Sequence, residues 1–484
     1  MRPIRARHTG RTGAVSAAHP LAVAAGQQAF FQGGNAADAM IAAQAVLCVV
    51  LPASCGIGGD LLALVHQPGG NVVAINGFGK SPANPAFDRA GPDGTAVTVP
   101  GIVDAWTEMN ARFGKLSLGA CLAFAHELAA NGTPLGKATA RAVNDHRARL
   151  EAGGCADWCV VNSPVRTAQP QLAALLADIS ERGGEAFYQG PMAAAIEAAV
   201  VGMGGQLSTG DLARHATTID PPVSVAWQGG RVYVQPPMTQ GFLLSMCLEN
   251  LGRLDVRDQI DLEHVCVELT EASFAYRDHA AEATALIGRD LDINMERASL
   301  RGGPRAYLHT AGVATADSEG LVISSLVSVF DEFGSGVYVR EGGFALNNRA
   351  QGFTQAPNDA APEKFPVHTL APSILVGDEG VTALATPGAD GQIQTLLQII
   401  ARMSGPEPME LAQSIAAPRW RSEDGKLLIE AAHPARENLA DRGHRTEVRE
   451  DGAMCFGGVV SAGQSGELPF SASDWRREVW HGVC

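Results

Sequence analysis

The run from His309 to Gly320 (His-Thr-Ala-Gly-Val-Ala-Thr-Ala-Asp-Ser-Glu-Gly) leads into the apolar, β-branched stretch Leu321–Phe330 and then into the glycine turn Phe333-Gly334-Ser335-Gly336. The stretch has the composition of a strand and the glycines stop it abruptly. The chain must therefore build an extended element here, with Thr310 at its entrance. Taken alone, a threonine in such a place is a turn or strand-edge residue. Its weight comes from what surrounds it in the rest of the chain.

Apolar periodicity predicts helices over Pro20–Phe31, Ala36–Val50, Leu118–Asn131, Pro170–Arg182, Pro191–Met203, Asp261–Arg277 and Gln392–Met403. Strands are predicted at Leu61–His66, Asn71–Ile75, Arg231–Gln235, Ser373–Val376 and Val381–Ala385, the last two joined by the turn Gly377-Asp378-Glu379-Gly380. Gly33-Gly34 should stop one helix, and Asn35 should cap the next by accepting hydrogen bonds from its free N–H groups. Gly56–Gly59 allows a close backbone approach but lacks the spacing of a phosphate-binding fingerprint. These elements give a mixed α and β protein.

With 484 residues and 46 % hydrophobic content the chain can bury a large core, and by length alone it suggests two or three domains. Its 36 basic and 51 acidic residues are interspersed, which excludes the basic surface a nucleic acid requires. Arg2, Arg5, Arg7 and Arg11 read as a solvated tail. No apolar run follows them before Ala14, and Ala36–Val50 is too short for a bilayer and contains Asp38 and Gln44. A cytoplasmic protein with no membrane partner is the expectation. The nine cysteines are dispersed, and Cys155 and Cys159 fit neither zinc nor CxxC spacing, so buried free thiols are expected. His264, His279 and His309 are not spaced as metal ligands, so neither metal nor cofactor is expected.

Several blocks carry a resemblance. They are Ala14-Val15-Ser16-Ala17-Ala18-His19-Pro20, Gly33-Gly34-Asn35-Ala36-Ala37-Asp38, Pro52-Ala53-Ser54-Cys55-Gly56-Ile57-Gly58-Gly59-Asp60, Val99-Pro100-Gly101 and Gln235-Pro236-Pro237-Met238-Thr239-Gln240-Gly241. Further on come Ala345-Leu346-Asn347-Asn348-Arg349, Pro366-Val367-His368-Thr369 and Ala385-Thr386-Pro387-Gly388-Ala389-Asp390-Gly391-Gln392. With the Thr310 run, and in the same order from about Ala14 to about Arg421, they resemble the gamma-glutamyltranspeptidase family of N-terminal-nucleophile hydrolases. The resemblance implies an α+β fold of four layers, α-β-β-α. It also implies a self-cleavage before Thr310 that leaves a large piece, 1–309, and a small catalytic piece, 310–484, intertwined in one body. The partners expected are a small-molecule substrate and the chain's own second piece, with a dimer of these heterodimers left open.

The same resemblance assigns roles. Thr310 becomes nucleophile and, through its freed α-amine, base, which suits a hydroxyl that is inert until a base takes its proton. Ser328 stands where the family has a threonine that bonds this amine. Gly388 and Ala389 stand where a Gly-Gly pair supplies oxyanion N–H donors. The glutamyl anchors are missing: Phe78 replaces an arginine, Gly352 an aspartate, Phe330 an asparagine, and His368 and Thr369 two serines. An ordinary γ-glutamyl group would leave its charges unpaired. The chain looks closer to the acylase-like and oxamate-amidohydrolase-like branch. Arg349 either grips a substrate carboxylate in a bidentate fork, aided by His368, or forms an outer salt bridge beside a structural histidine. The expected reaction is cleavage of an amide of a small carboxylate-bearing acid in a pocket shaped by Phe78 and Phe330. Carbon–carbon bond hydrolysis, classical glutathione hydrolysis and an uncleaved binding homologue remain alternatives. Ala311-Gly312, in place of a Thr-His pair, favours the last.

Overall fold

Helix Ala36–Val50 is apolar on every face because every one of its residues is buried. Asn35 starts it as predicted, its side chain accepting from the N–H groups of Ala37 at 3.0 Å and Asp38 at 3.2 Å. Asp38 returns the bond to the Asn35 N–H at 2.9 Å, closing a capping box. The computed structural model describes residues 4–91, 93–162, 166–304 and 309–484.

Around this helix the chain builds four layers. One antiparallel sheet runs, edge to edge, Trp480–Val483, Gly13–Ala17, Ala311–Asp317, Val322–Ser328, Asp60–His66, Val72–Gly77 and Thr218–Asp220. The other runs His8–Thr9, Leu468–Ser473, Val460–Ser465, Gly380–Ala385, Ser373–Gly377, Gly230–Val234 and Val223–Trp227. An apolar layer that includes Leu62, Leu64, Leu326, Ile374, Ala383 and Val460 fills the space between the sheets. The outer face of the first sheet packs on Pro20–Phe31 and Ala36–Val50, with Leu118–Asn131 against these helices, and that of the second on Gly241–Leu251 and Gly391–Ser404, with Gln259–Ser273 against these. This is the α-β-β-α sandwich, one helical layer per outer sheet face. Both sheets take strands from either side of Thr310, so length alone misleads about domain number.

Four N-terminal helices, Pro20–Phe31, Ala36–Val50, Leu118–Asn131 and Pro170–Arg182, begin and end where periodicity puts them. Two differences have clear causes. The α-helix predicted over Asp261–Arg277 starts earlier, at Gln259, because Asp258 caps it, and it gives way to a 3-10 turn at Phe274. Lys137–Ala152 is a helix that periodicity missed, because only Thr139, Ala142, Val143 and Leu150 of it are buried. The cysteines are all unpaired, but Cys159, Cys455 and Cys484 are partly exposed, which corrects the expectation that the thiols are buried.

Candidate active site

The Ala311–Asp317 and Val322–Ser328 strands pair with Ala311 opposite Val327, which sets Thr310 across from Ser328 at the open end of the ladder. Both side chains are buried. Thr310 Oγ1 donates to the carbonyl oxygen of His309 at 2.7 Å, and Ser328 Oγ donates to the same oxygen at 3.2 Å. The two hydroxyls are 3.4 Å apart, and Ser328 Oγ accepts from the Phe330 N–H at 2.9 Å. One carbonyl thus carries two hydroxyl donors, of which Ser328 is the one left to stabilise charge on its oxygen if Thr310 Oγ1 attacks. Ser328 faces inward, away from solvent.

Gly388 and Ala389 follow the strand Gly380–Ala385. Gly312, two residues after Thr310, lies against Val460, the register partner of Ala385, so the Gly388 loop follows a strand end stacked over the start of the Thr310 strand. Both residues have positive φ, 133° and 46°, and among the described residues neither backbone N–H has an acceptor. For Ala389 the left-handed conformation costs about 1–2 kcal/mol. Gln240 pins this loop, its Nε2 donating to the carbonyls of Ala389 at 2.9 Å and Thr369 at 2.7 Å.

Behind the hydroxyls runs a buried train of side chains. Arg349 Nε donates to Asp60 Oδ2 at 2.8 Å, and His368 Nε2 donates to the same oxygen at 3.2 Å. The Arg349 guanidinium lies 4.6 Å from the ring centre of Phe330, whose φ is 81°. The His368 ring meets Phe78 edge-on, and Phe78 meets Phe365, each at 4.8 Å. Burial first, and then Arg349, pushes the His368 imidazole down to about 4, with Asp60 opposing. Burial also lowers Arg349 from its usual range, again against the pull of Asp60.

Two expectations change here. His368 has no donor left for a substrate, because Nε2–H serves Asp60 and Nδ1 accepts from the Leu370 N–H at 3.1 Å. Phe78 belongs to the core between the sheets and meets the site only through His368. Arg349 is divided. Its Nε makes a buried salt bridge, while among the described residues Nη1, Nη2 and Asp60 Oδ1 have no hydrogen-bond partner. Thr369 is buried and contributes its carbonyl to Gln240.

A cleft of about 1050 Å³ opens over the hairpin end, lined by His309, Asp331, Glu332, Asn348, His146 and Arg149 among others. Glu332 is the hub of its polar wall. Its Oε2 lies 2.7 Å from His146 Nε2, and its Oε1 lies 3.2 Å from His309 Nδ1 and 3.7 Å from Arg141. Burial, then Arg477 and Arg141, push the His309 imidazole down to about 3, so it sits beside Glu332 uncharged. Sequence reasoning missed Asp60, Gln240, His146 and Glu332. Asp60 and Gln240 sat inside quoted blocks, and their buried polarity was the available signal; His146 and Glu332 gave none. Among the described residues no group of three or more His, Cys, Asp or Glu could hold a metal ion, and no helix is long and apolar enough to cross a membrane.

Comparison with known proteins agrees with this geometry. The family model for gamma-glutamyltranspeptidase matches residues 22–481. The glutathione hydrolase-like YwrD proenzyme of Bacillus subtilis (strain 168) is 32 % identical over 478 residues, covering 90 % of this chain and 91 % of that protein. The oxamate amidohydrolase proenzyme of Klebsiella pneumoniae is 29 % identical over 500 residues, covering 92 % and 93 %. Among solved structures, a cephalosporin acylase from Bacillus halodurans superimposes with a TM-score of 0.88 at 26 % identity, covering 100 % of this chain and 98 % of the other.

Proposed function

The chain belongs to the gamma-glutamyltranspeptidase family, and from that premise we propose that it is a self-processing N-terminal-threonine amidohydrolase for a small carboxylate-bearing acyl group. One observation carries the reading: Thr310 Oγ1 and Ser328 Oγ meet on the carbonyl oxygen of His309. Thr310 Oγ adds to the His309 carbonyl carbon, the peptide C–N bond breaks, and the hydroxyl proton ends on the α-nitrogen. Water then adds to the resulting ester, releasing the His309 carboxylate and restoring the hydroxyl. The pieces are 1–309 and 310–484, held together by sheets that use strands of both.

In the mature enzyme the α-amine of Thr310, with a pKa of about 8, takes the hydroxyl proton as Oγ attacks a substrate amide and passes it to the leaving amine. The N–H groups of Gly388 and Ala389 receive the oxyanion, Ser328 orients the amine, and water hydrolyses the acyl ester. Similarity to proteins named as proenzymes, among them an oxamate amidohydrolase and a Pseudomonas acylase, supports this reading. The two unpartnered Arg349 nitrogens support a carboxylate on the acyl group, reached when the Phe330 ring moves aside. γ-Glutamyl anilides are expected to be poor substrates, because Gly352 and Phe330 offer no polar side chain. Intact-mass measurement tests the core of the reading. Two species ending at His309 and beginning at Thr310 are expected, and a single full-length species after long incubation overturns it.

A further inference from the structure

The precursor already holds one acyl group in its site, and that group is its own His309. During self-cleavage the His309 acyl is joined to Thr310 Oγ, the atom that carries every later acyl group. Whatever holds the His309 side chain at that moment is therefore in reach of a substrate's acyl side chain afterwards. The structure gives that place a definite chemistry. The imidazole Nδ1 lies 3.2 Å from Glu332 Oε1, on the wall of the large cleft. Glu332 is 8 % exposed and is held from the other side by His146 Nε2 at 2.7 Å. Its backbone is fixed too, since its carbonyl accepts from Arg149, which also donates to the Gly334 carbonyl at 2.8 Å. A carboxylate fixed this way is a preorganised acceptor, and losing its partner would leave it under-satisfied.

We propose that Glu332, backed by His146, is the acyl side-chain subsite of the mature enzyme, occupied by the His309 imidazole before cleavage and afterwards by a substrate whose acyl group bears a hydrogen-bond donor. This rests on the reading of Thr310 as the processed nucleophile. It narrows the substrate to an acid with a donor such as an imidazole, amine or amide N–H a few bonds from the scissile carbonyl. Once hydrolysis frees the His309 carboxylate, the chain end leaves and the subsite opens. Glu332 is a binding residue here and has no part in proton transfer at the reacting atoms.

The test uses the mature wild-type protein and two anilides with one leaving group, N-acetylhistidine 4-nitroanilide and N-acetylphenylalanine 4-nitroanilide. One hydrogen bond to a charged acceptor should favour the histidyl compound in kcat/KM by roughly ten- to a hundredfold. The preference should shrink to within about threefold in Glu332→Gln, where the acceptor has lost its charge. Should that variant fail to fold, or should the anilides, which carry no acyl carboxylate, turn over too slowly to measure, competitive inhibition of the wild type on its best amide by N-acetylhistidine against N-acetylphenylalanine reads the same preference without a mutation. A cleaved, active enzyme that shows no histidyl preference in either assay overturns the subsite alone. A chain that stays intact and hydrolyses neither anilide overturns the proposed function, and the subsite with it.

Discussion

The hairpin end at Thr310 and the charged train at Arg349 are joined through Phe330, yet they differ in how complete they are. At the hairpin end each hydroxyl has a partner: Thr310 and Ser328 share the His309 carbonyl, and Ser328 also accepts from Phe330. In the train, Asp60 Oδ1 and both terminal nitrogens of Arg349 are buried and, among the described residues, have no hydrogen-bond partner. Buried polar groups are normally satisfied, and each exception calls for a reason. The difference separates two tasks. Cleaving the chain needs nothing from outside but water, so its groups are paired already, whereas binding an acyl group needs an anion that only a substrate supplies.

The sharpest way to break this contrast is Thr310→Ala, which should leave the chain full-length indefinitely and without amidase activity, as seen by intact mass. Cleavage of that variant at the same bond would show that another group supplies the nucleophile. Ser328→Ala removes one of the two donors on the His309 carbonyl and should slow self-cleavage by roughly a hundredfold, the usual cost of one oxyanion donor. Ser328→Thr, which keeps the hydroxyl, should recover most of the rate. Equal rates for the alanine and threonine variants would reduce Ser328 to a packing role.

Arg349→Lys tests the other half of the contrast. Lysine keeps the charge toward Asp60 but loses the planar fork. Self-cleavage should be unchanged while kcat/KM on the best amide falls roughly ten- to a hundredfold, the cost of one charge-assisted contact. Unaltered kinetics would leave Arg349 as an internal salt bridge, and impaired processing would make it part of the support under Thr310.

How much of this could be seen in the sequence follows the same division. Thr310, Ser328, Gly388 and Ala389 were singled out by the resemblance and not by their own neighbourhoods, and the structure sets them at a strand entrance, a strand end and a positive-φ turn. Helix Ala36–Val50 and its Asn35 cap were legible from local features. The train was read only in part. Arg349 stood out by its type, but its partner Asp60 is 289 residues away and His368 is 308 residues from Asp60, so no spacing announces the cluster. His368 looked free to bind a substrate because its second partner, the Leu370 N–H, depends on a local turn that composition does not reveal. Glu332 meets His146 across 186 residues, from a helix whose apolar stripe was too thin to recognise.

The smallest expected effect concerns stability, and it tests whether the train is held neutral at His368. The folded imidazole titrates near 4, below the ordinary value of about 6.5, because burial and Arg349 oppose a second positive charge. On acidification the unfolded chain therefore takes up this proton first. The stability owed to His368 is fully present above about pH 6.5 and is lost as pH falls toward 4, at most about 1.4 kcal/mol per pH unit. His19, His444 and His481 are also depressed to about 4, so the wild type should lose stability steadily across this window for several reasons at once. The difference between wild type and His368→Gln isolates one proton. Glutamine does not titrate, so the variant should be less stable at pH 7 and should close the gap as pH approaches 4, followed by denaturant midpoints. A gap that stays constant across the window would mean that His368 titrates at its ordinary value in the folded protein, and a gap that widens on acidification that it is held protonated at neutral pH. In the second case the cluster would carry two cations around Asp60, and a substrate carboxylate would have two groups to meet where the present arrangement gives it one.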